Sequence, residues 1–320
     1  LLPVPKDGHG QAVGDLVQIT GTVDEFYGET QIYTVTGISV ISSGNPLPTP
    51  ASINLPAAAT STAQDGDLQP DLEAFEGMLV TFPDTLSITE MFQLDRFNEI
   101  KLSQGGRLDQ FTQNNAPSVA GYTAHLEDIG SRTITYDDGL NVQNALIKNL
   151  DGFGPNFNTA TDIRMGDTID NLSGVLSYQW AGNSASQGTW RVRSTINGEN
   201  SFVKVNNRSA MPADVGGTLK VASFNVLNFF TTLDVSGDPG SGPNSLSPRG
   251  ADSQAEYDRQ LQKLVTTLQI MNADIVGLIE IENEFGGDQN GDGLYAINEL
   301  VNALNAAVGA GTYAFVDPGS

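Results

Sequence analysis

Two stretches decide the fold of the C-terminal region: Leu219-Lys220-Val221-Ala222-Ser223-Phe224-Asn225-Val226-Leu227 and, further along the chain, Ala273 to Ile281. Both are short, largely apolar runs with β-branched residues, which is typical of buried strands. Between them, Ser253-Gln254-Ala255-Glu256 has the sequence of a helix capping box. The apolar residues that follow recur at helical spacing: Tyr257, Leu261, Leu264 and Leu268. Strands that alternate with helices predict an α/β layered fold.

A further helix and a further strand are predicted after the second apolar run. The helix is indicated by apolar residues that keep helical spacing: Leu294, Ile297, Val301, Leu304 and Val308. Thr312 to Val316 is predicted to be a third strand. Three strands and two helices form a small layer for this architecture. We therefore expect residues 218–320 to be the N-terminal part of a domain that continues beyond Ser320.

The N-terminal region, from about residue 10 to residue 207, has the pattern of short strands joined by turns. The segment from Gly14 to Val23 resembles the segment from Gly166 to Val175, because each has a Gly-Asp turn, an apolar strand and a further Gly. A Gly within a strand often marks a bulge, which small barrels need. The echo favours two β modules, residues 1–120 and 121–207, although shared turn chemistry alone would also produce it. Residues 208–217 are predicted to be a linker.

The net charge of −23 limits the classes of function. So acidic a surface repels polyanions, which argues against a protein that coats DNA nonspecifically. It still permits a nuclease that meets phosphate through bound divalent cations, because the ion reverses the local charge. A secreted protein from a salty habitat is a compatible explanation of the acidity. Cysteine is absent, so disulfides and thiolate sites are excluded, and no apolar run is long enough to cross a bilayer.

Asn225 and Glu280 are the candidate site residues of the C-terminal region. Each lies near the end of a predicted strand, where α/β sheets usually build their sites. Glu280 stands between Ile279 and Ile281, and a carboxylate in apolar surroundings is costly unless it is paired or bound to a metal. An ordinary edge residue and an ordinary turn residue would fit the same pattern, so the residues alone leave the choice open.

A family resemblance bears on this choice. The segment from Val221 to Asn228, followed by the segment from Asp274 to Ile281, resembles the first two motifs of the DNase I-like endonuclease/exonuclease/phosphatase superfamily. The resemblance implies that Asn225 and Glu280 help to bind a catalytic divalent metal, Mg²⁺ or Mn²⁺. It also implies that residues 218–320 form an incomplete α/β layered domain of this superfamily.

A narrower resemblance covers both regions of the chain. Four segments resemble extracellular nucleases of the ExeM and NucH type: Phe224 to Leu233, Arg249-Gly250-Ala251, Tyr257-Asp258-Arg259-Gln260 and Glu280-Ile281-Glu282-Asn283. In those proteins an OB-like region (oligonucleotide/oligosaccharide-binding) precedes the nuclease domain, and Gly21 to Ile32 is similar to part of it. The resemblance implies OB-like barrel modules, the first of them without its first strands, and a secreted, metal-dependent phosphodiesterase. Its implied substrate is DNA, with RNA as a further option.

The chain departs from the family in its catalytic base. The family also has a downstream His in a Ser-Asp-His type motif and an Asp with a nearby Asn, and this chain has neither; its only histidines are His9 and His125, which we interpret as surface or structural residues. Because proton transfer and metal activation act together in such sites, we expect the parent protein to be an enzyme and this chain alone to be inactive.

The alternative function is that of a non-catalytic, calcium-stabilised extracellular surface or assembly protein. An incomplete domain leaves sheet edges and apolar faces uncovered. Such faces invite self-association or association with the remainder of the domain. The residues of the chain do not decide between this role and the nuclease.

A second metal site is predicted between Asp288 and Glu299. This segment matches the calcium-loop pattern D-x-[DN]-x-[DN]-G-x5-E at every specified position. The expected Ca²⁺ ligands are Asp288, Asn290, Asp292, Leu294 through its backbone carbonyl, and Glu299. Gly286-Gly287 leaves no room for an incoming helix, and an acidic turn before a helix is favourable without any metal. Both interpretations therefore remain open.

A third candidate is a surface for single-stranded nucleic acid. Trp190, Arg191 and Arg193, together with Tyr178 and Trp180, interleave aromatic and cationic side chains, as stacking platforms do. An aromatic core with outward-facing arginines would give the same pattern.

The calcium prediction is tested by titration calorimetry of the wild-type chain and of Asp288→Ala with Ca²⁺. Removal of the first carboxylate of the loop should abolish or strongly weaken the binding heat, because Ca²⁺ depends on several oxygen ligands at once. Equal heats from the two proteins would remove the site.

Overall fold

The chain divides into two compact units, Leu1–Asn207 and Arg208–Ser320, and each is described by itself. The computed structural model describes residues 11–137, 139, 143, 163–181, 187–194, 200–205, 209–235, 248–283 and 295–316. No helix among these residues has both the length and the apolar content that a membrane crossing would require.

Unit 1 is rich in strands, as predicted. Its described strands are β1 (Leu16–Phe26), β2 (Glu29–Ser42), β3 (Ala51–Ser52), β4 (Thr60–Thr62), β5 (Leu68–Pro70), β6 (Leu79–Phe82), β7 (Leu86–Glu90), β8 (Glu99–Gln104), β9 (Thr133–Asp137), β10 (Thr168–Ile169), β11 (Leu172–Gln179), β12 (Thr189–Arg193) and β13 (Phe202–Val203). Its described helices are α1 (Leu94–Phe97), α2 (Phe111–Asn114), α3 (Val119–Ser131) and a single 3₁₀ turn at Glu73–Phe75.

One curled sheet of nine strands dominates unit 1, in the order β13-β10-β7-β8-β9-β12-β11-β6-β3. Most neighbours are antiparallel, whereas β9 with β12 and β3 with β6 are parallel. The sheet takes strands from both sides of residue 120, so strand pairing does not separate the two predicted modules. β1 and β2 form a separate two-stranded ribbon, and β4 and β5 form another.

The two glycines of the sequence echo have different structural roles. Gly21 lies at the register shift between Thr20 and Thr22, as a bulge requires. Gly174 lies in an unbroken part of the ladder. A Cβ atom at Gly174 would clash with the carbonyl oxygen of Arg193 on β12, so this glycine permits close backbone approach.

The core of unit 1 lies on one face of the sheet. Alternation along the strands sends apolar side chains to this face: Val80, Phe82, Leu86, Ile88, Ile100, Leu102, Ile134, Tyr136, Leu172, Leu176, Trp190 and Val192. The residues between them on β8, such as Glu99 and Lys101, lie on the opposite face. Each strand therefore contributes an apolar side to the core and a polar side to the other surface.

The polar face carries a buried ion network centred on Arg191. This side chain is fully buried, and its Nη1 donates to Glu99 Oε2 at 2.7 Å and to Asp137 Oδ2 at 2.6 Å. Arg193 Nη2 donates to the same Asp137 oxygen at 3.2 Å. Strand register places Glu99, Asp137 and Arg193 in one row across three adjacent strands. Burial raises the pKa of the Glu99 carboxyl, although the Arg191 charge and hydrogen bond lower it in part.

Trp190 and Arg191 are buried, so neither side chain can stack on a nucleic-acid base as the predicted platform requires. Trp190 packs edge-on against Tyr178, with ring centroids 5.1 Å apart, and only 3% of its surface is exposed. Arg191 is committed to Glu99 and Asp137, and Arg193 is committed to Asp137 and to the backbone carbonyl of Trp180. Aromatic and cationic residues alternate here because one set enters the core and the other set forms ion pairs.

Unit 2 shows the predicted alternation of strands and helices. Its described elements are β14 (Val221–Phe229), α4 (Gln254–Met271), β15 (Ile275–Ile281) and α5 (Ala296–Val308). The two strands are parallel, and buried residues of α4 and α5 pack with Val226 and Phe229. The Phe229 and Tyr257 rings stack with centroids 5.4 Å apart. Ser253 is the N-cap of α4 as predicted, but its side chain makes no capping hydrogen bond, and the Glu256 carboxylate instead accepts from the Asp252 N–H at 3.1 Å.

The predicted third strand over Thr312 to Val316 is wrong, because residues 313–316 have no regular secondary structure. The backbone of Tyr313 finds its partners on α5 instead of on the edge of β15. Its N–H donates to Asn305 Oδ1 at 2.8 Å, and its carbonyl accepts from Asn305 Nδ2 at 2.9 Å. The Tyr313 hydroxyl donates to the carbonyl of Ala273 at 2.8 Å. A side chain of the preceding helix thus satisfies the groups that a strand would pair.

The ion network gives a stability prediction for unit 1. Asp137→Asn removes the carboxylate that two arginines share, and breaking a buried pair costs about 3–5 kcal/mol. Urea unfolding followed by tryptophan fluorescence measures this, since both tryptophans of the chain, Trp180 and Trp190, lie in unit 1. The matched control is Asp128→Asn, whose ion pair with Arg132 is largely exposed and should matter little. Equal midpoints for the two variants would contradict the role of the network.

Candidate metal site where two parallel strands lose register

The register of β14 and β15 sets the geometry of the candidate site. Val221 pairs with Ile275, and the pairing continues in step until Asn225 lies opposite Ile279. It then shifts and resumes where Phe229 pairs with Ile281. Glu280 is the single residue of β15 within this interruption, next to the partner of Asn225. Glu280 therefore lies at the carboxyl end of β15, whereas Asn225 lies in the middle of β14, at the last residue of the regular parallel pairing. Sites of α/β sheets usually form at the carboxyl ends of parallel strands.

The interruption is conformationally strained. Leu227, Asn228 and Glu280 have φ values of 57°, 49° and 63°, in the left-handed region that residues with side chains rarely adopt. Each such residue costs about 1–3 kcal/mol, and such strain concentrates at functional sites. Two side chains hold the bulge of β14. Asn225 Oδ1 accepts from the Leu227 N–H at 2.8 Å, and Gln260 Nε2 on α4 donates to the carbonyl oxygens of Val226 and Leu227 at 3.1 and 2.7 Å.

Both predicted site residues are open to solvent. Asn225 lies on the face of β14 whose residues are exposed. Simple alternation along β15 would send Glu280 to the side of Val276 and Leu278, which pack in the core. Glu280 is nevertheless exposed, and its left-handed backbone interrupts the alternation. Its carboxylate is thus accessible to a cation and does not lie in a dry apolar layer.

Glu282 is a buried carboxylate beside the site, and sequence reasoning assigned it no role. It accepts hydrogen bonds from the backbone N–H groups of Thr231 and Thr232 at 2.7 and 3.2 Å, and from their hydroxyls at 3.0 and 2.5 Å. The Glu282 N–H donates to the carbonyl of Phe229 at 3.0 Å. These bonds join the segment after β14 to the segment after β15. The available signal was a Thr-Thr pair after the first strand and a second acidic residue after the next.

The described residues contribute few metal ligands. Among them, no group of three or more Asp, Glu or His side chains is placed to hold a metal ion. Asn225 and Glu280 thus offer two ligand side chains, one amide and one carboxylate. This number suits Mg²⁺, which commonly keeps several waters and binds through one or two carboxylates together with substrate phosphates. One lone pair of Asn225 Oδ1 accepts the hydrogen bond from the Leu227 N–H, and the other can coordinate a cation.

Most of the predicted calcium loop lies outside the described residues, namely Asp288, Asn290, Asp292 and Leu294. Glu299 is described, and it lies half-buried in the first turn of α5. Its N–H donates to the carbonyl of Tyr295 at 2.9 Å. An acidic side chain in a first turn is favourable with or without a metal. The calcium site therefore stays a prediction.

Of the two histidines, His9 lies outside the described residues and His125 belongs to α3 of unit 1. The His125 ring lies 5.6 Å from that of Phe111, and its Nε2 is 3.1 Å from the carbonyl oxygen of Asp109. His125 thus makes local packing and polar contacts within unit 1.

Comparison of the chain with protein families, with curated proteins and with solved structures finds no match.

The position of Glu282 gives a prediction about local stability. Glu282→Gln replaces an acceptor of four hydrogen bonds by an amide that cannot accept them all, which should cost about 1–3 kcal/mol. Amide hydrogen exchange at Thr231 and Thr232 should accelerate strongly, as measured by NMR. Glu256→Gln is the control, since it alters an exposed carboxylate that accepts one bond from Asp252. Unchanged protection at both threonines in Glu282→Gln would contradict the bridging role.

Proposed function

We propose that unit 2 carries a divalent-cation site for phosphodiester hydrolysis in nucleic acid, with DNA as the first substrate and RNA as the second. One observation supports this most: Asn225 and Glu280 lie on neighbouring parallel strands at the point where the regular pairing of β14 and β15 stops, and both residues are exposed. The acidic chain needs a cation at any surface that meets phosphate, since its charge of −23 repels polyanions. We further propose an extracellular setting.

Glu280 and Asn225 would hold Mg²⁺ or Mn²⁺ through carboxylate and amide oxygens. A cation bound there supplies Lewis acidity toward a phosphoryl oxygen and lowers the pKa of bound water. The other residues of the site have positioning roles. Gln260 fixes the bulge that carries Asn225, and Glu282 fixes the segments that follow both strands. Such rigid support is what a site needs to orient a phosphodiester for in-line attack.

The proton-transfer part of the reaction has no imidazole in unit 2, because both histidines of the chain precede residue 208. General acid–base groups contribute about 10²–10⁴ to such rates. We therefore expect this chain to bind the cation but not to cleave nucleic acid efficiently.

Cation binding is tested by Mn²⁺ titration followed by electron paramagnetic resonance, in an Asp288→Ala background that removes the predicted calcium loop. Glu280→Gln should weaken the tightest site by at least about tenfold, because even residues that only support metal ligands change affinity by 10–100-fold. Asn225→Asp should strengthen it, since the change adds a negative charge to the same position. Such opposite effects would not follow from misfolding.

Glu127→Gln is the matched control for this titration, because Glu127 is an exposed carboxylate on α3 of unit 1. It should leave Mn²⁺ affinity unchanged. Equal affinities for Glu280→Gln and Glu127→Gln would overturn the assignment. In plasmid-nicking assays with Mg²⁺ or Mn²⁺, we expect the chain to leave DNA intact, and cleavage that survives Glu280→Gln would also contradict the proposed site.

A binding or assembly role is the second candidate, and one observation favours it. The face of the β14–β15 sheet that carries Asn225 also exposes apolar side chains: Val221, Leu227, Ile275 and Ile279. Contiguous exposed apolar surface is typical of association sites. Concentration-dependent association in sedimentation velocity, together with Mn²⁺ binding that ignores Glu280, would favour this role over the enzyme.

A further inference from the structure

A polar cleft in unit 1 is separate from the site proposed above. It consists of two adjoining volumes of about 100 and 320 Å³. Both volumes are lined by the same five residues where they meet: Asp67, Leu68, Glu90, Lys101 and Thr133. One end reaches Trp190 on β12, and the other reaches α3. Taken together, the two volumes are near the lower end of the range of small-molecule sites, about 300–1,000 Å³.

One wall of the cleft is the polar face of the nine-stranded sheet. Glu99 and Lys101 alternate with core residues on β8, and Thr133 and Thr135 do so on β9. Register places Lys101 between Glu90 on β7 and Thr135 on β9. The lining also includes Gln69 of β5, whose Oε1 accepts from Thr189 Oγ1 at 2.9 Å and from the Trp190 N–H at 3.1 Å. The cleft is thus built from anchored polar groups on separate strands.

Glu99 is the unusual group of this cleft. Only 7% of the residue is exposed, yet it lines the cavity. Arg191 binds its Oε2 from behind, and among the described residues no hydrogen bond reaches its Oε1. Glu99 Oε1 is not among the buried atoms that lack a partner, so solvent reaches it, and it is free to accept from a donor group of a ligand.

The charges around the cleft select the kind of donor. Four carboxylates besides Glu99 line it, namely Asp65, Asp67, Glu90 and Asp109, against a single lysine, Lys101. The carboxylates would repel an anionic ligand, and an apolar ligand would leave the polar groups of the cleft without hydrogen-bond partners. An ammonium group matches both the excess negative charge and the open oxygen of Glu99. The hydroxyls of Thr133 and Thr135 and the amide of Gln69 suit a ligand body with hydroxyl groups.

We propose that this cleft binds a small polyhydroxylated ligand that carries a primary ammonium group, of which an amino sugar is the simplest form. The ammonium lies at Glu99 and Glu90, and the hydroxyls of the ring meet the threonines of β9. Binding weakens as salt increases, because the attraction is electrostatic.

The test is a titration of the isotopically labelled full chain with D-glucosamine, followed by amide shifts of Lys101, Thr133 and Thr135 in NMR spectra. Saturable shifts are expected with glucosamine and not with D-glucose, which has the same ring without the ammonium. Glu90→Gln should weaken binding about threefold and Lys101→Gln should strengthen it about threefold, the size expected for one partly screened charge. Asp24→Asn, on the exposed ribbon of β1, should change nothing.

The opposite signs for Glu90→Gln and Lys101→Gln distinguish recognition from damage to the fold, and Glu99→Gln should weaken binding further. Tryptophan fluorescence verifies that each variant is folded. Equal shifts with glucose and glucosamine, shifts that do not saturate, or equal affinities for Glu90→Gln and Lys101→Gln would each overturn the proposal. None of these outcomes touches the cation site at Glu280, which is measured with Mn²⁺.

Discussion

Parallel pairing of β14 with β15 is the constraint on which the candidate site depends. Because Val221 pairs with Ile275 and the register holds to Asn225, the next residue of β15 has to be Glu280 at the strand end. A shift of one residue would exchange the exposed and covered faces of a strand. The core contacts of Val226 and Phe229 with α4 and α5 oppose such a shift. Apolar packing on one face thus places two polar groups at the edge of the other.

The strained backbone of unit 2 and the hydrogen bonds that stabilise it lie at the same place. Three residues with left-handed backbones lie within the register interruption, and Asn225, Gln260 and Glu282 make the hydrogen bonds that hold the surrounding segments. The same logic applies in unit 1, where Arg191 is kept buried by two carboxylates of neighbouring strands. In both units strand register, more than local sequence, brings the polar partners together.

Sequence reasoning captured what depends on local pattern. It predicted β-rich structure in unit 1 and the order β14, α4, β15, α5 in unit 2. The expected position near a strand end holds for Glu280 but not for Asn225, which lies in the middle of β14. It could not foresee long-range partners. Pairing of β9 with β12 decides that Arg191 is buried, and the side chain of Asn305 decides that Tyr313 does not join a strand. The four bonds to Glu282 likewise join residues far apart in sequence.

The most direct test of the central claim is the location of bound Mn²⁺ by paramagnetic broadening of amide signals. At substoichiometric Mn²⁺, in the chain with the Asp288→Ala change, the account predicts that amides of residues 225–227 and 279–281 broaden first and together. Broadening of only one of these two segments, or of neither while other regions broaden, would show that Asn225 and Glu280 do not share a cation.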